Sequence, residues 1–160
     1  GLFSGTDSRS FSPSASMTRA MLVTVLYRLE GEPAVAGRSS FADVRSDAYY
    51  EKAVIWAAAN GIVTGTSSTS FSPDAKVTRE QLAAILYRYA QYKKLDTSAS
   101  TKLNSFSDAG EVSGYANAAL GWAVVERLVN GASGKLMPKG YATRAQVAAI
   151  FHRFVENVVK

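Results

Sequence analysis

Phe71-Ser72-Pro73-Asp74-Ala75-Lys76-Val77-Thr78-Arg79 is one of three versions of the same phrase. It occurs earlier as Phe11-Ser12-Pro13 leading to Thr18-Arg19, and later, more loosely, as Leu136-Met137-Pro138 leading to Thr143-Arg144. An internal repeat decides the architecture before any single residue does, and it multiplies whatever site it carries. Copies one and two are offset by 60 residues without a gap from Gly1/Gly61 through Arg28/Arg88. Copies two and three are offset by 65 at Phe41/Phe106 and Thr78/Thr143, and by 66 at Trp56/Trp122. One insertion and one compensating deletion account for the difference. Chance does not produce such a register.

Working outward, Thr78 is a good helix N-cap, and Gln81 three residues on completes a Thr-x-x-Gln capping box. Thr143 and Gln146 repeat the box, whereas copy one has Met21 in place of the glutamine. The apolar residues that follow are Leu82, Ile85, Leu86 and Tyr89 in copy two. Copy one has Leu22, Val25, Leu26 and Leu29, and copy three has Val147, Ile150, Phe151 and Phe154. Each set falls at i, i+3, i+4, i+7, the stripe of an amphipathic helix. Three equivalent helices on one chain most simply bury their stripes against each other. The expected fold is therefore all-α, with a pseudo-threefold three-helix bundle as core.

In front of each such helix, copy two carries Phe41-Ala42-Asp43-Val44 and then a helical pattern over 48–60. Tyr49, Ala53, Trp56 and Ala57 would share one face, and Gly61 after Asn60 reads as the stop. These short helices and the loops Ile62–Thr66 would form lobes around the bundle. Linkers rich in Pro, Gly, Ser or Thr run from Glu30 to Ser40 and from Lys93 to Ser105. One two-helix unit cannot bury both its faces alone, so residues 1–160 are expected to form a single domain. Within it, 1–30 is the second half of the first motif, 41–92 the second motif and 106–158 the third. The front half of copy one is absent, so the chain reads as a piece of a longer protein with one lobe incomplete.

Composition narrows the function classes. The chain has 160 residues, 47% of them apolar, enough for a well-buried core. Eighteen Lys and Arg against thirteen Asp and Glu leave a net charge of +5, which suits an anionic partner without naming one. The cations are spread along the chain with no basic cluster or helix stripe, which disfavours nucleic acid. There is no cysteine, so neither disulfides nor thiolate chemistry are available. No run of 18 apolar residues exists to span a membrane as a helix. No metal-ligand spacing, nucleophile elbow or phosphate loop occurs, so neither a cofactor nor catalysis is expected. The one histidine, His152, sits where copies one and two have Tyr27 and Tyr87, a structural position.

Arg19, Arg79 and Arg144 carry the strongest hint of a ligand. Each follows its cap directly, where the helix dipole disfavours a cation, yet all three copies keep it. Two readings are open. The guanidinium reaches a carboxylate such as Asp43 or Asp108, or it joins free N–H groups of the helix start to hold an anion. Trp56 and Trp122 are either core residues or indoles stacking on a sugar ring in a groove. The Gly5-Thr6 and Gly65-Thr66 loops are either plain turns or places of close backbone approach to a ligand.

Taken together, Phe41-x-Asp43-Val44, Trp56-Ala57, Asn60-Gly61-Ile62, Gly65-Thr66, Phe71-x-Pro73 and Val77-Thr78-Arg79-Glu80 resemble the S-layer homology motif. The resemblance covers nearly the whole chain, as one half and two complete motifs. It implies a three-pronged pseudo-trimer that attaches a bacterial surface protein or exoenzyme to the cell wall without a covalent bond. The implied partner is a secondary cell wall polysaccharide linked to peptidoglycan, often bearing pyruvate ketals; other surface-layer proteins are further candidates, and a cell-surface localisation follows. A ketal carboxylate suits arginine, and a sugar's apolar face suits tryptophan.

By the same resemblance, the motif arginine maps to Arg19, Arg79 and Arg144, the aspartate to Asp43 and Asp108, the tryptophan to Trp56 and Trp122, and the glycine loop to Gly5, Gly65 and Gly131. Copy three departs from the pattern at Arg127 for Gly61, Ala132 for Thr66 and Leu136 for Phe71. Copy two is the best supplied, which favours a site centred on Arg79. Grooves between adjacent motifs would mix residues from two copies. The alternative is a protein-interaction or structural module whose arginines serve only intramolecular pairs.

Overall fold

The computed structural model describes residues 2–159; Gly1 and Lys160, the outer limits of the expected domain, lie outside them. The elements are α1 (Arg19–Leu29), α2 (Glu51–Ala59), α3 (Arg79–Tyr92), α4 (Asn117–Val125) and α5 (Arg144–Phe154). Short 3-10 turns at Ala109–Glu111 and Gly114–Ala116 precede α4, and a π turn, Val155–Val159, follows α5. Among the described residues there is no strand, only isolated β-bridges. The fold is all-α.

The capped starts form as the sequence dictates. Thr18, Thr78 and Thr143 each accept a hydrogen bond from the N–H three residues on, at 3.2, 3.3 and 3.2 Å. Gln81 and Gln146 reach back to the N–H of Thr78 and Thr143, both at 3.0 Å, which closes two complete boxes. Met21 has no amide oxygen to close a third box, and its Sδ accepts from Arg144 Nη1 at 3.4 Å. The lobe helix α2 is shorter than the 48–60 pattern suggested. It has no side-chain cap at Tyr50 and starts only at Glu51. Tyr49 therefore stands outside the helix and is 65% exposed, not part of the buried stripe.

A closed circuit of backbone hydrogen bonds joins the three copies. Met17 N–H donates to Ala142 C=O, Ala142 N–H to Val77 C=O, and Val77 N–H to Met17 C=O, each at 2.9 Å. These are equivalent residues of the three copies, all fully buried. Around this ring each helix start leans on the next copy. The first N–H groups of α1, at Arg19 and Ala20, donate to Ala75 and Pro73 C=O. Those of α3 donate to Gly140 and Pro138, and those of α5 to Ala15 and Pro13. The order one to two, two to three, three to one closes on itself.

Each capped helix buries the inner part of its stripe, with Leu22 and Leu26, Leu82 and Leu86, and Val147 and Phe151 all nearly inaccessible. The most extensive helix pairings run α1 to α2 and α3 to α4. An aromatic contact marks each pairing: Tyr27 meets Trp56 at 5.7 Å between ring centroids, and Tyr87 meets Trp122 at 5.5 Å. On α5 the same position is His152, exposed, with Nε2 3.3 Å from the Glu156 carboxylate.

The C-terminal ends of α2 and α4 show one local conflict. Gly61 takes a left-handed conformation after α2 (φ +68°), where glycine has no steric cost. After α4 the equivalent residue is Arg127, exposed, at φ +59°. A side chain in that region costs on the order of 1 kcal/mol. Arg127→Gly is expected to raise stability by about 0.5–1 kcal/mol. A higher urea midpoint at unchanged slope would register it.

Candidate ligand grooves

Three surface grooves lie between consecutive copies, and each mixes residues from both. The first, about 270 Å³, brings Arg19 of copy one to Thr64, Gly65, Thr66, Gln81 and Arg88 of copy two. The second, about 250 Å³, brings Arg79 to Asn130, Gly131, Ala132, Gln146 and Arg153 of copy three. The third, about 370 Å³, brings Arg144 to Ser4, Gly5, Thr6, Met21 and Arg28 of copy one. Arg79, on which the expected site centres, lines the second of these grooves and not the one with the Gly65-Thr66 loop. Because each helix start leans on the next copy, Arg79 faces the divergent loop of copy three. The complete Gly65-Thr66 loop belongs to Arg19.

Every groove contains a second arginine that the sequence reading passed over. Arg28, Arg88 and Arg153 each lie nine residues after the motif arginine, as the pairs 19/28, 79/88 and 144/153 show. On a helix that spacing is two and a half turns, so the two arginines of one helix point to opposite sides and serve different grooves: Arg19 lies with Arg88, Arg79 with Arg153 and Arg144 with Arg28. The thrice-kept spacing was the available signal. Arg28 donates to Leu2 C=O and Ser4 Oγ, and Arg153 donates to Leu128 C=O. Among the described residues Arg88 makes no such bond.

The motif arginines are seated on backbone, not on carboxylates. Arg19 Nε donates to Phe71 C=O at 2.8 Å and Nη2 to Thr64 C=O at 2.7 Å, with Cζ 4.6 Å from the Phe71 ring centroid. Arg144 repeats the seat on Phe11 C=O, Ser4 C=O and the Phe11 ring. Arg79 does not. Leu136 replaces the aromatic ring there and offers no π face, and Arg79 Nη2 instead donates to Gln146 Oε1 at 3.1 Å. Burial pushes the Arg19 guanidinium down in pKa, and Arg88 adds to that shift.

The expected ion pairs with Asp43 and Asp108 do not form. Asp43 accepts from the N–H groups of Phe71 and Ser72, and Asp108 from those of Leu136 and Met137, all four at 2.8 Å. Ser72 and Met137 have φ of +57° and +50°, so each carboxylate holds a left-handed turn in place. That turn presents Phe71 C=O to Arg19, so Asp43 acts on the arginine through the backbone. Burial pushes the Asp43 carboxyl up, but the two backbone donors outweigh it and hold it below the ordinary 3.8.

A depressed pKa stabilises the fold above the unfolded value, and that contribution is lost as pH falls through the folded one. Asp43→Asn is expected to cost about 1–3 kcal/mol near neutral pH. The gap from wild type should narrow as the pH drops below 3.8, which urea titrations at several pH values would reveal.

Two further expectations are corrected. The helix starts offer no free N–H groups to an anion. Their first two donors bind carbonyls of the next copy and the third binds the capping threonine. Trp56 and Trp122 are core residues, 3% and 0% exposed, outside the three grooves. Helical period placed them on the inner face, and that face is covered. Neither indole N–H finds an acceptor.

Gly5, Gly65 and Gly131 line their grooves but are required by the turns. A Cβ on Gly65 would meet Ser67 C=O, and would lie 2.6 Å from both Ser70 C=O and the Phe41 ring. One on Gly5 would lie 2.6 Å from Asp7 C=O, and one on Gly131 2.8 Å from the Phe106 ring. Thr66 Oγ1 is engaged with Ser72 Oγ at 2.6 Å, and Thr6 repeats this with Ser12.

The two longer copies also carry a recognisable family pattern. The profile of the S-layer homology domain matches residues 40–83 and 105–148. The chain belongs to the S-layer homology family. As an S-layer homology chain it is 33% identical to an endoglucanase of Bacillus sp. (strain KSM-635), over 98% of this chain and 17% of that protein. It is 33% identical to the surface-layer 125 kDa protein of Lysinibacillus sphaericus, over 99% of this chain and 13% of that one. An amylopullulanase of Thermoanaerobacterium thermosulfurigenes matches at 31% identity, over 96% of this chain and 8% of its own length. The chain thus spans less than a fifth of each of these relatives.

Proposed function

We propose that this chain anchors a larger bacterial surface protein to the cell wall, non-covalently, by holding a secondary cell wall polysaccharide in its inter-copy grooves. The observation that carries this reading is the pairing of two guanidiniums across each solvent-open groove: Arg19 with Arg88, Arg79 with Arg153, and Arg144 with Arg28. Paired guanidiniums select an anionic substituent, since each can bind a carboxylate as a fork. A pyruvate ketal on a sugar supplies one. The motifs 1–30, 41–92 and 106–158 act as one binding domain at the extracellular surface.

No catalysis is assigned to the chain. A surface-layer protein and two proteins named as glycan-cleaving enzymes share this stretch, which is a small part of each. What they have in common is therefore sought in attachment, with cleavage left to the rest of those enzymes. The direct test is co-sedimentation with purified wall sacculi, before and after the wall polysaccharide is extracted. Binding that persists after extraction overturns the assignment.

The alternative, a structural or protein-interaction module, draws on the backbone seats of Arg19 and Arg144, which already serve the fold. It predicts loss of stability without any glycan binding when these arginines are replaced.

A further inference from the structure

We infer that Tyr115 is a specificity-determining wall of the Arg19–Arg88 groove, held over it by Glu80 acting through Ser113. The inference rests on the reading of that groove as a ligand site.

Glu80 is the second residue of α3, where the other two capped helices have Ala20 and Ala145. It is only 3% exposed. Helix capping does not need it, since Thr78 and Gln81 complete the box and the Glu80 N–H goes to Pro138 C=O. Its carboxylate turns instead to copy three. Oε2 accepts from Ser113 N–H at 2.9 Å, and Oε1 accepts from Ser113 Oγ at 2.8 Å and from Lys139 Nζ at 2.6 Å. Lys139 also donates to Ser113 Oγ. A buried carboxylate with three donors, one of them a cation, is a fully satisfied anchor.

Ser113 is the cap of the turn Gly114–Ala116, and that turn carries Tyr115. The Tyr115 side chain remains 55% exposed and lines the groove beside Arg19 and Arg88. An aromatic face with a hydroxyl tip beside two guanidiniums suits a pyranose bearing an acidic substituent. The ring covers an apolar sugar face while the cations take the anion.

The other grooves lack this device. Tyr49, 66 residues earlier, is the counterpart in the Arg144–Arg28 groove. Two residues before it stands Asp47, exposed and 3.6 Å from Arg45, and the helix residue corresponding to Glu80 is Ala20. Tyr49 has no tie to α1 of this kind. Among the described residues no tyrosine lines the Arg79 groove. A wall fixed during folding need not be ordered during binding, so the tied tyrosine favours affinity in its own groove.

The test is a double-mutant cycle on binding of soluble polysaccharide released from wall sacculi. Tyr115→Ala and Glu80→Ala are each expected to weaken binding on the order of 3–10-fold, and the double variant no further than the single ones. Glu80→Gln keeps acceptors for Ser113 and should recover most of the loss. Additive effects, or full affinity in Tyr115→Ala, overturn the inference while leaving the groove assignment standing. A wild-type chain that binds no polysaccharide overturns both. Should Glu80→Ala fail to fold, Tyr115→Ala with Glu80→Gln still decides the matter.

Discussion

Replacing Trp122 with alanine is expected to lower the unfolding free energy by about 3–5 kcal/mol. The indole is fully buried. It meets Tyr87 of α3 at 5.5 Å and Phe154 of α5 at 6.4 Å between ring centroids, both in edge-on geometry. One side chain therefore ties α4 to two capped helices, and truncation leaves a cavity bordered by both. An opposing effect is that the unpartnered indole N–H disappears, which removes a buried-donor penalty of about 1–3 kcal/mol. The net loss should accordingly fall near the lower end. Trp122→Phe, which keeps ring contacts and deletes the orphan donor, should cost clearly less. Since whole domains of this size hold about 5–15 kcal/mol, the alanine variant would be marginal at best. Urea unfolding measures both, and a loss under about 1 kcal/mol in Trp122→Ala would contradict the core assignment.

The second large effect concerns binding. Arg19→Ala is expected to weaken attachment to wall sacculi on the order of 10–100-fold, the loss of a charge-assisted hydrogen-bonding partner worth about 1.5–3 kcal/mol. Arg19 faces the most complete groove, with Gly65, Thr66, Gln81 and the unengaged Arg88. Its removal also leaves Phe71 and Thr64 C=O without their donor and takes away the cation over the Phe71 ring, so a smaller stability loss accompanies it. Arg19→Lys separates the two roles: the charge stays and the planar fork is lost, and binding should still fall. Arg79→Ala should cost less binding, because that groove has Ala132 where the Arg19 groove has Thr66. Raising the ionic strength should weaken wild-type attachment, as expected for exposed charges. Sacculi binding by Arg19→Ala equal to wild type, in a folded protein, would remove this groove from the function.

Where the physics is local, the chain could be read in advance. Threonine caps, the Thr-x-x-Gln boxes and the stripes at Leu22, Leu82 and Val147 are decided within one or two turns, and all formed. The lobe helix was misjudged at its start because periodicity continues through Tyr49 while a cap does not. What no local pattern encodes is which copy faces which. Arg144 reaches Ser4 C=O across 140 residues, and Arg19 reaches Phe71 C=O across 52. That arrangement moved the best-supplied groove from Arg79 to Arg19 and used up the helix N–H groups that an anion might have taken. The tryptophans illustrate a different limit: a helical face toward the core and a helical face toward a groove carry the same period. Arg28, Arg88 and Arg153 were legible by spacing alone, but a cation late in a helix looks like an ordinary favourable dipole partner.

The hydrogen-bond circuit through Met17, Ala142 and Val77 gives the molecule a fixed valence. In a stacked solenoid each end offers an open face, and units can be added or removed with little disturbance to the rest. Here every donor at the centre is already matched to an acceptor one copy away, so no face is left to extend. Adding or deleting one phrase would strand a buried N–H and a buried C=O instead of lengthening the array. Three is thus set by closure at the centre, and the surrounding copies are free to diverge in sequence so long as Met17, Val77 and Ala142 keep their backbone positions. The inequality of the three grooves follows as a permitted outcome: the hub counts the arms without dictating what each arm holds.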